Sequence, residues 1–292
     1  MNLPRISIVT PSYNQAQYVG WTVRSVLLQR YPNLEYIVMD GGSNDGTQDV
    51  LEPYRSQFAH YVSEKDKGQS DAVARGFEKC TGEIMAYLNS DDMLAPDALQ
   101  FVADYFRFHP DVDAIYSHRV TVGDDNRAGS YWILPPHSNY LMSRWDLIPQ
   151  ETCFWRRSLF ERGGNIDPSY RFALDYDLFL RYMRVGRFVR VNRFLGAFRY
   201  HSTAKTATLL EQVGQQEIRR VRQKHGLKIH RGESMLGGAF SLLVQRAGAR
   251  HATLRRSKAG ALPGKGYDYD DVWGGLLNET RLPITTELGI SR

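Results

Sequence analysis

Apolar residues in this chain fall into short runs separated by polar stretches, and the runs alternate with segments of helical periodicity. RISIVTP is rich in β-branched residues and predicts a buried strand. After SYNQAQ, Val19, Val23, Val26 and Leu27 recur at helical spacing, predicting a helix that ends near Tyr31-Pro32. EYIVMD predicts a second strand, GGSNDG a loop, TQDVLEPY a short helix and HYVSE a third strand. Ser70 is a candidate N-cap for a helix through Arg75 and Phe77 that Thr81-Gly82 ends. EIMAYL predicts the fourth strand, and Pro96 opens a helix reaching about His109. Four strand–helix alternations predict an α/β fold: a Rossmann-like, mainly parallel central sheet with helices on both faces.

In such sheets ligands bind beyond the carboxyl ends of the strands. TPSYN, DGGSNDG, SEKDKG and NSDD each follow a successive strand, so all four are expected on one edge. Any one of them also reads as an ordinary turn, since Gly, Asn, Asp and Ser dominate turns. NSDD carries the sharpest chemistry. Asp91 and Asp92 repel each other at a strand end, and burial raises that cost. A divalent cation relieves it, and oxygen ligands of this kind suit Mg²⁺ or Mn²⁺ bridging to a diphosphate. The plainer alternative is an Asp-Asp turn that caps the next helix.

Composition narrows the classes. The chain has 292 residues, 42% of them hydrophobic, enough for one large domain or a domain with an appendage. Cys80 and Cys153 are the only cysteines, too few for a disulfide scaffold or a Cys-rich zinc site. No apolar run is long enough to span a bilayer and no signal-peptide pattern opens the chain, so a cytoplasmic protein is expected. The formal net charge of +5 suits an anionic substrate, a membrane surface or nucleic acid equally well. No aromatic–basic interleaved patch marks nucleic-acid binding.

ISIVTPSYNQAQYVGWTVRSVLLQRYPNLEYIVMDGGSNDGT and EKDKGQSDAVARGFEKCTGEIMAYLNSDDML resemble the family 2 glycosyltransferases of the GT-A fold. The resemblance covers residues 5 to about 205. It implies an inverting transferase that moves a sugar from a nucleotide-diphosphate donor, UDP favoured, to an acceptor hydroxyl. NSDD matches the DxD-type motif, which implies Asp92 as the direct metal ligand and Asp91 facing the donor's ribose or sugar. Thr10, Pro11 and Tyr13 match the first-strand nucleotide motif. Many members carry two acids after the second strand, but here the dipeptide is Asp40-Gly41, and Asp66 is the candidate for the missing base contact.

The second half is expected to bind the acceptor and complete the chemistry. IPQETCFWRRSLFERGGNIDPSYRFALDYDLFLRY resembles the family's acceptor region, with LDYD at the Glu-Asp signature. Asp175 then takes the place of the catalytic base, with Asp177 and Asp167 as fallbacks. Its alternative role is to cap the helix of Leu178, Phe179 and Tyr182. FRYHSTAKT resembles a motif that implies His201 as a further metal ligand and Lys205 as a diphosphate contact. Trp155 and Arg156 are candidate acceptor contacts, although an aromatic near a strand is usually core.

The expected division is a GT-A domain over 1–230, donor half 1–110 and acceptor half 111–230, with a C-terminal helical extension over 231–292. In that extension Met235, Leu236, Ala239, Phe240, Leu243, Val244 and Ala247 form an apolar stripe followed by basic residues. Such a stretch lies on an anionic bilayer or packs on the domain or a second subunit, which leaves peripheral membrane association and a homodimer as expectations. Two other classes compete: a nucleotidyltransferase, whose usual Gly-rich basic phosphate loop TPSYNQAQ lacks, and a non-catalytic nucleotide-sugar module.

Overall fold

The computed structural model describes residues 3–124 and 128–228, together with 239, 242–244 and 246, which are helical. The expected extension over 231–292 and its apolar stripe lie outside the described residues apart from those five.

The four expected strands form as β1 (Ile6–Ser12), β2 (Leu34–Asp40), β3 (His60–Ser63) and β4 (Ile84–Tyr87). They lie parallel in the order β3-β2-β1-β4. Helices α1 (Val19–Leu27), α2 (Thr47–Leu51) and α3 (Gln69–Lys79) make the crossovers between them, and α4 (Ala98–Phe108) follows a two-residue strand, β5 (Met93–Leu94).

Period-two alternation divides the strands between two cores. Ile6 and Ile8, Tyr36 and Val38, Ile84 and Ala86 join the helix α1 and α4 side. Val9, Ile37 and Met39, Met85 and Tyr87 join the α3 side. Both faces are covered, which is why these strands read as continuous apolar runs. Gly76 on α3 lets the helix approach the sheet, since a Cβ there would overlap Val9 Cγ1 and lie 3.3 Å from Met39 Cγ. Helix α3 begins two residues earlier than the Ser70 cap predicts. Gly68 is its N-cap, and Ser70 is buried in the first turn with its hydroxyl donating to Tyr170 O.

Beyond β4 the sheet continues with mixed polarity. Strands β6 (Ala114–Val122), β8 (Phe154–Arg156) and β9 (Phe188–Arg199) extend it in the order β4-β8-β6-β9-β5, with β7 (Ala128–Trp132) paired to β6. Strand β8 is antiparallel to both neighbours, whereas β6 and β9 are parallel. Helices α5 (Asn139–Trp145), α6 (Arg157–Gly163) and α7 (Leu174–Val185) cover the α3 face, and after α8 (Lys205–Thr208) helix α9 (Gln215–Lys224) packs on α7.

The close approach at Gly76 gives a stability prediction. Gly76→Ala should destabilise the fold by about 1–3 kcal/mol through overpacking, read as a lower urea midpoint with an unchanged slope. An unchanged midpoint would show that α3 can move away from β1 freely.

Candidate active site

Because β1 to β4 are parallel neighbours, their C-terminal loops leave the same edge, as the sequence pattern predicts. Hydrogen bonds lock those loops together. Asn14 N donates to Ser43 Oγ and Gln15 N to Thr47 Oγ1, both at 2.8 Å. Glu64 N donates to Asp40 O at 3.0 Å, and Gln69 Nε2 to Asn89 Oδ1 at 2.5 Å.

The candidate nucleotide residues divide into framework and surface. Thr10 is fully buried with its hydroxyl 3.0 Å from Tyr36 Oη, and Pro11 is buried. Only their backbone is left to meet a base. Tyr13 is 61% exposed, so its ring is open for stacking. Asp40 is buried and accepts from Ser43 Oγ at 2.5 Å, Ser43 N at 3.0 Å and Ser63 Oγ at 2.6 Å. Its carboxylate therefore shapes the loop. Asp66 makes up for the glycine beside it: a Cβ on Gly41 would lie 2.9 Å from Asp66 Oδ2. The carboxylate from the third loop fills the volume that a second-position side chain would take.

At NSDD the two acids differ in exposure and in partners. Asp92 is 1% exposed, its Oδ1 accepting from Arg199 N at 2.9 Å and its Oδ2 from Asn89 Nδ2 at 3.2 Å. Burial, then the Asp91 and Glu151 charges, pushes its pKa far above the ordinary carboxylate range. Asp91 is the partly exposed one, and its Oδ2 lies 3.0 Å from His201 Nε2. Thr203 Oγ1, 2.8 Å from His201 Nδ1, orients the ring, and the Tyr18 ring lies against it at 4.6 Å.

A cation would fit this pair. Two ligands at right angles, each about 2.1 Å from an octahedral ion, stand about 3.0 Å apart. Among the described residues no group of three or more His, Cys, Asp or Glu side chains is arranged to hold a metal unaided. Phosphate oxygens and water complete such shells in sites of this kind.

A polar relay runs from this edge across the cleft. Lys205 Nζ donates to Gln69 Oε1 at 2.6 Å, Gln69 to Asn89, and Asn89 Nδ2 to Gln150 Oε1 at 3.1 Å. Gln150 Nε2 is anchored on Tyr87 O at 2.6 Å. Solvent reaches Lys205, yet enough protein surrounds its ammonium, helped by Arg171, to pull its pKa down to about 8.

Asp175 stands in the first turn of α7, with Arg119 and Glu151 among its charged neighbours. It is partly exposed, its Oδ1 accepts from Tyr176 N at 2.9 Å, and burial raises its pKa. The N-cap position itself belongs to Ala173. Arg119 supplies the positive charge nearby. It forms a two-pronged pair with buried Glu151, at 2.7 and 2.8 Å, while Trp132 and Phe198 flank its guanidinium at 4.8 and 4.6 Å. Asp146, in left-handed conformation after α5, adds a second carboxylate that feels the Asp175 charge.

Three expectations change here. Asp177 is fully buried and gripped by Arg181, Lys224 and His225, each at 2.9 Å, which leaves no oxygen for an acceptor. Asp167 pairs with Lys224 at 3.3 Å and accepts from Ser169 N at 3.0 Å. Trp155 and Arg156 are not acceptor contacts: Trp155 is 0% exposed among Phe77, Phe179 and Tyr182, and Arg156 donates to the carbonyls of Val112, Phe106 and His109. Both hold the base of the sheet, because β8 runs antiparallel to β4 and carries them away from the loop edge.

The family model of Glycosyl transferase family 2 matches residues 7–165. The chain belongs to that family. It is 27% identical over 224 residues to an uncharacterized glycosyltransferase of Rickettsia typhi, covering 73% of this chain and 70% of that one. It is 30% identical over 190 residues to the chondroitin synthase of Escherichia coli, 63% of this chain but only 27% of the synthase. The S. aureus TarS 1–349 structure in complex with UDP-GlcNAc superposes with a TM-score of 0.62 at 16% identity, over 76% of this chain and 65% of that one. The mannosyltransferase PcManGT of Pyrobaculum calidifontis, in complex with GDP-Man and Mn²⁺, gives 0.57 at 19% identity, over 99% and 84%. These structural likenesses carry the GT-A fold.

In this family 2 glycosyltransferase the sequence pattern missed Arg119, Asp146, Gln150, Glu151 and Arg199. Charged residues beside apolar ones, such as Arg119 in the strand AIYSHRVTV and Glu151 in the short turn that precedes β8, were the available signal. The Lys205 environment gives a pH prediction. A bound diphosphate favours the charged lysine, so donor affinity should be fullest below pH 8 and fall as pH rises through that value. Calorimetry should show this slope in the wild type and a flat profile in Lys205→Met; equal slopes would remove Lys205 from the diphosphate site.

Proposed function

We propose that the chain transfers a sugar, with inversion, from a nucleoside-diphosphate sugar to a hydroxyl of a glycan or glycolipid acceptor. The observation that carries this is the pairing of Asp91 with His201 at 3.0 Å on the edge where four parallel strands end, with Asp91 and Asp175 both acting on the charge of Lys205. In this reading residues 1–110 form the donor half and residues 111–230 the acceptor half. Tyr13, Asp66 and the backbone of Thr10 and Pro11 receive the base, and Lys205 the diphosphate. A UDP-sugar is the first donor to test, since the chain's GT-A neighbours include one bound to UDP-GlcNAc and another to GDP-Man.

Asp91 and His201 would hold a Mn²⁺ or Mg²⁺ ion, which supplies counter-charge to the leaving diphosphate. Asp175 accepts the proton of the acceptor hydroxyl as that oxygen attacks the anomeric carbon from the side opposite the diphosphate. Its raised pKa suits it to the task, because a base is most effective when its pKa approaches the working pH. Arg119, held by Glu151, keeps the three neighbouring carboxyl groups from making the pocket too negative to receive a phosphate. No helix among the described residues is long and apolar enough to cross a membrane.

A panel of UDP-, GDP- and dTDP-sugars tests the reading. Acceptor-dependent release of nucleoside diphosphate is expected, with the product anomer opposite to the donor's by NMR coupling constants. Asp175→Asn should bind donor normally and lose roughly 10²-fold or more in turnover. Release of pyrophosphate would point to nucleotidyl transfer. A retained anomer, or full turnover in Asp175→Asn, would overturn the assigned base.

A further inference from the structure

The loop that leads into α7 directs three consecutive backbone N–H groups at one carboxylate on another helix. Glu217 on α9, 8% exposed, accepts from Arg171 N at 2.9 and 3.1 Å, Phe172 N at 2.8 Å and Ala173 N at 3.0 Å. Successive N–H groups of this kind form an anion-binding concavity, and a negative charge at a helix N-terminus is favoured. The carboxylate thus directs its acceptor capacity at backbone lying two to four residues before Asp175.

Other contacts make this loop a junction. Lys205 Nζ donates to Arg171 O at 3.3 Å, and the Ser70 hydroxyl of α3 donates to Tyr170 O. A Cβ on Gly214, just before α9, would lie 2.9 Å from the Phe172 ring, so the start of α9 sits directly on the loop. The far end of α9 grips the same helix one turn on, where Lys224 and His225 each reach Asp177 at 2.9 Å. Helix α9 lies beyond the residues that the family model matches.

We propose that Glu217 is a positioning residue for sugar transfer, which by gathering the amides of residues 171–173 fixes the entry of α7 and the direction of the Asp175 carboxylate. The inference rests on Asp175 being the base. It requires no contact between Glu217 and either substrate. Misplacing a reacting group by about 1 Å can cost on the order of 10²-fold in rate, so the loss of this anchor should appear in turnover and leave donor binding intact.

A double-mutant cycle tests it. Turnover, donor affinity and thermal midpoint are measured for Glu217→Ala, Glu217→Gln, Asp175→Asn and the two double variants. Glu217→Ala and Glu217→Gln should each lower turnover by about tenfold, leave the donor Kd within about twofold, and have no further effect in the Asp175→Asn background, since they act through the missing base. Glu217→Gln keeps the size of the side chain and carries the test if Glu217→Ala does not fold. Near wild-type turnover in the Glu217 variants, a loss that appears in donor Kd, or a tenfold loss that persists on top of Asp175→Asn would each overturn the positioning role. Undiminished turnover in Asp175→Asn alone would instead remove the base on which the inference stands.

Discussion

The site depends on how Arg199 is buried against the NSDD turn. Its side chain is 0% exposed, its Nε donating to Asp91 O at 2.9 Å and its Nη1 to Gly123 O at 2.7 Å, while its backbone N–H meets Asp92 Oδ1 at 2.9 Å. A buried guanidinium is tolerated only where nearby charge and acceptors compensate its lost hydration. Here the neighbouring Asp92 and Asp91 do so, although burial still lowers its pKa. The contact joins the end of β9 to the loop after β4 and so fixes the donor edge to the second half of the sheet. His201 follows Arg199 by two residues, which brings the imidazole to Asp91. Asp92 belongs to this junction, and Asp91 to the cleft.

Electrostatics then divides the cleft. Asp91, His201 and the Lys205 relay form one group; Asp175 stands in the first turn of a helix whose preceding loop donates to Glu217. Arg119 lies among Asp92, Glu151 and Asp175, with its aromatic flanks keeping solvent off the guanidinium. An anionic donor and a hydroxyl acceptor need opposite things of a pocket, counter-charge and a basic carboxylate. The pairing of β5 with β9 brings the loop after β4 to the end of β9, where Arg199 and His201 meet Asp91.

The first half of the fold was legible in the chain because its strands are buried on both faces and its helices are amphipathic, and only boundaries such as the Ser70 cap of α3 shifted. The loop edge was legible for the same reason, since parallel strands place successive loops side by side. The second half was not, because β8 and β9 depend on long-range pairing that no local period encodes. That is why Trp155 and Arg156, next to a polar motif in sequence, proved to be packing and strand-end residues. Which of the two adjacent carboxylates faces inward is not legible in the sequence, and the Arg199 backbone contact shows it to be Asp92. The closeness of Asp66 to Gly41 was not legible either, since it joins the loops after β2 and β3.

The central proposal is that Asp91, with His201, would face the donor's counter-ion while Asp92 serves as an internal strut. Electron paramagnetic resonance of Mn²⁺ in the presence of UDP tests it most directly, because the free and bound ion are distinguished without reference to turnover. Asp91→Asn should abolish UDP-dependent Mn²⁺ binding with an unchanged thermal midpoint. Asp92→Asn, which conserves the size of a side chain bonded to Arg199 N and Asn89 Nδ2, should still bind the ion even where it lowers the midpoint. Ion binding that survives in Asp91→Asn and disappears in a folded Asp92→Asn would contradict the account.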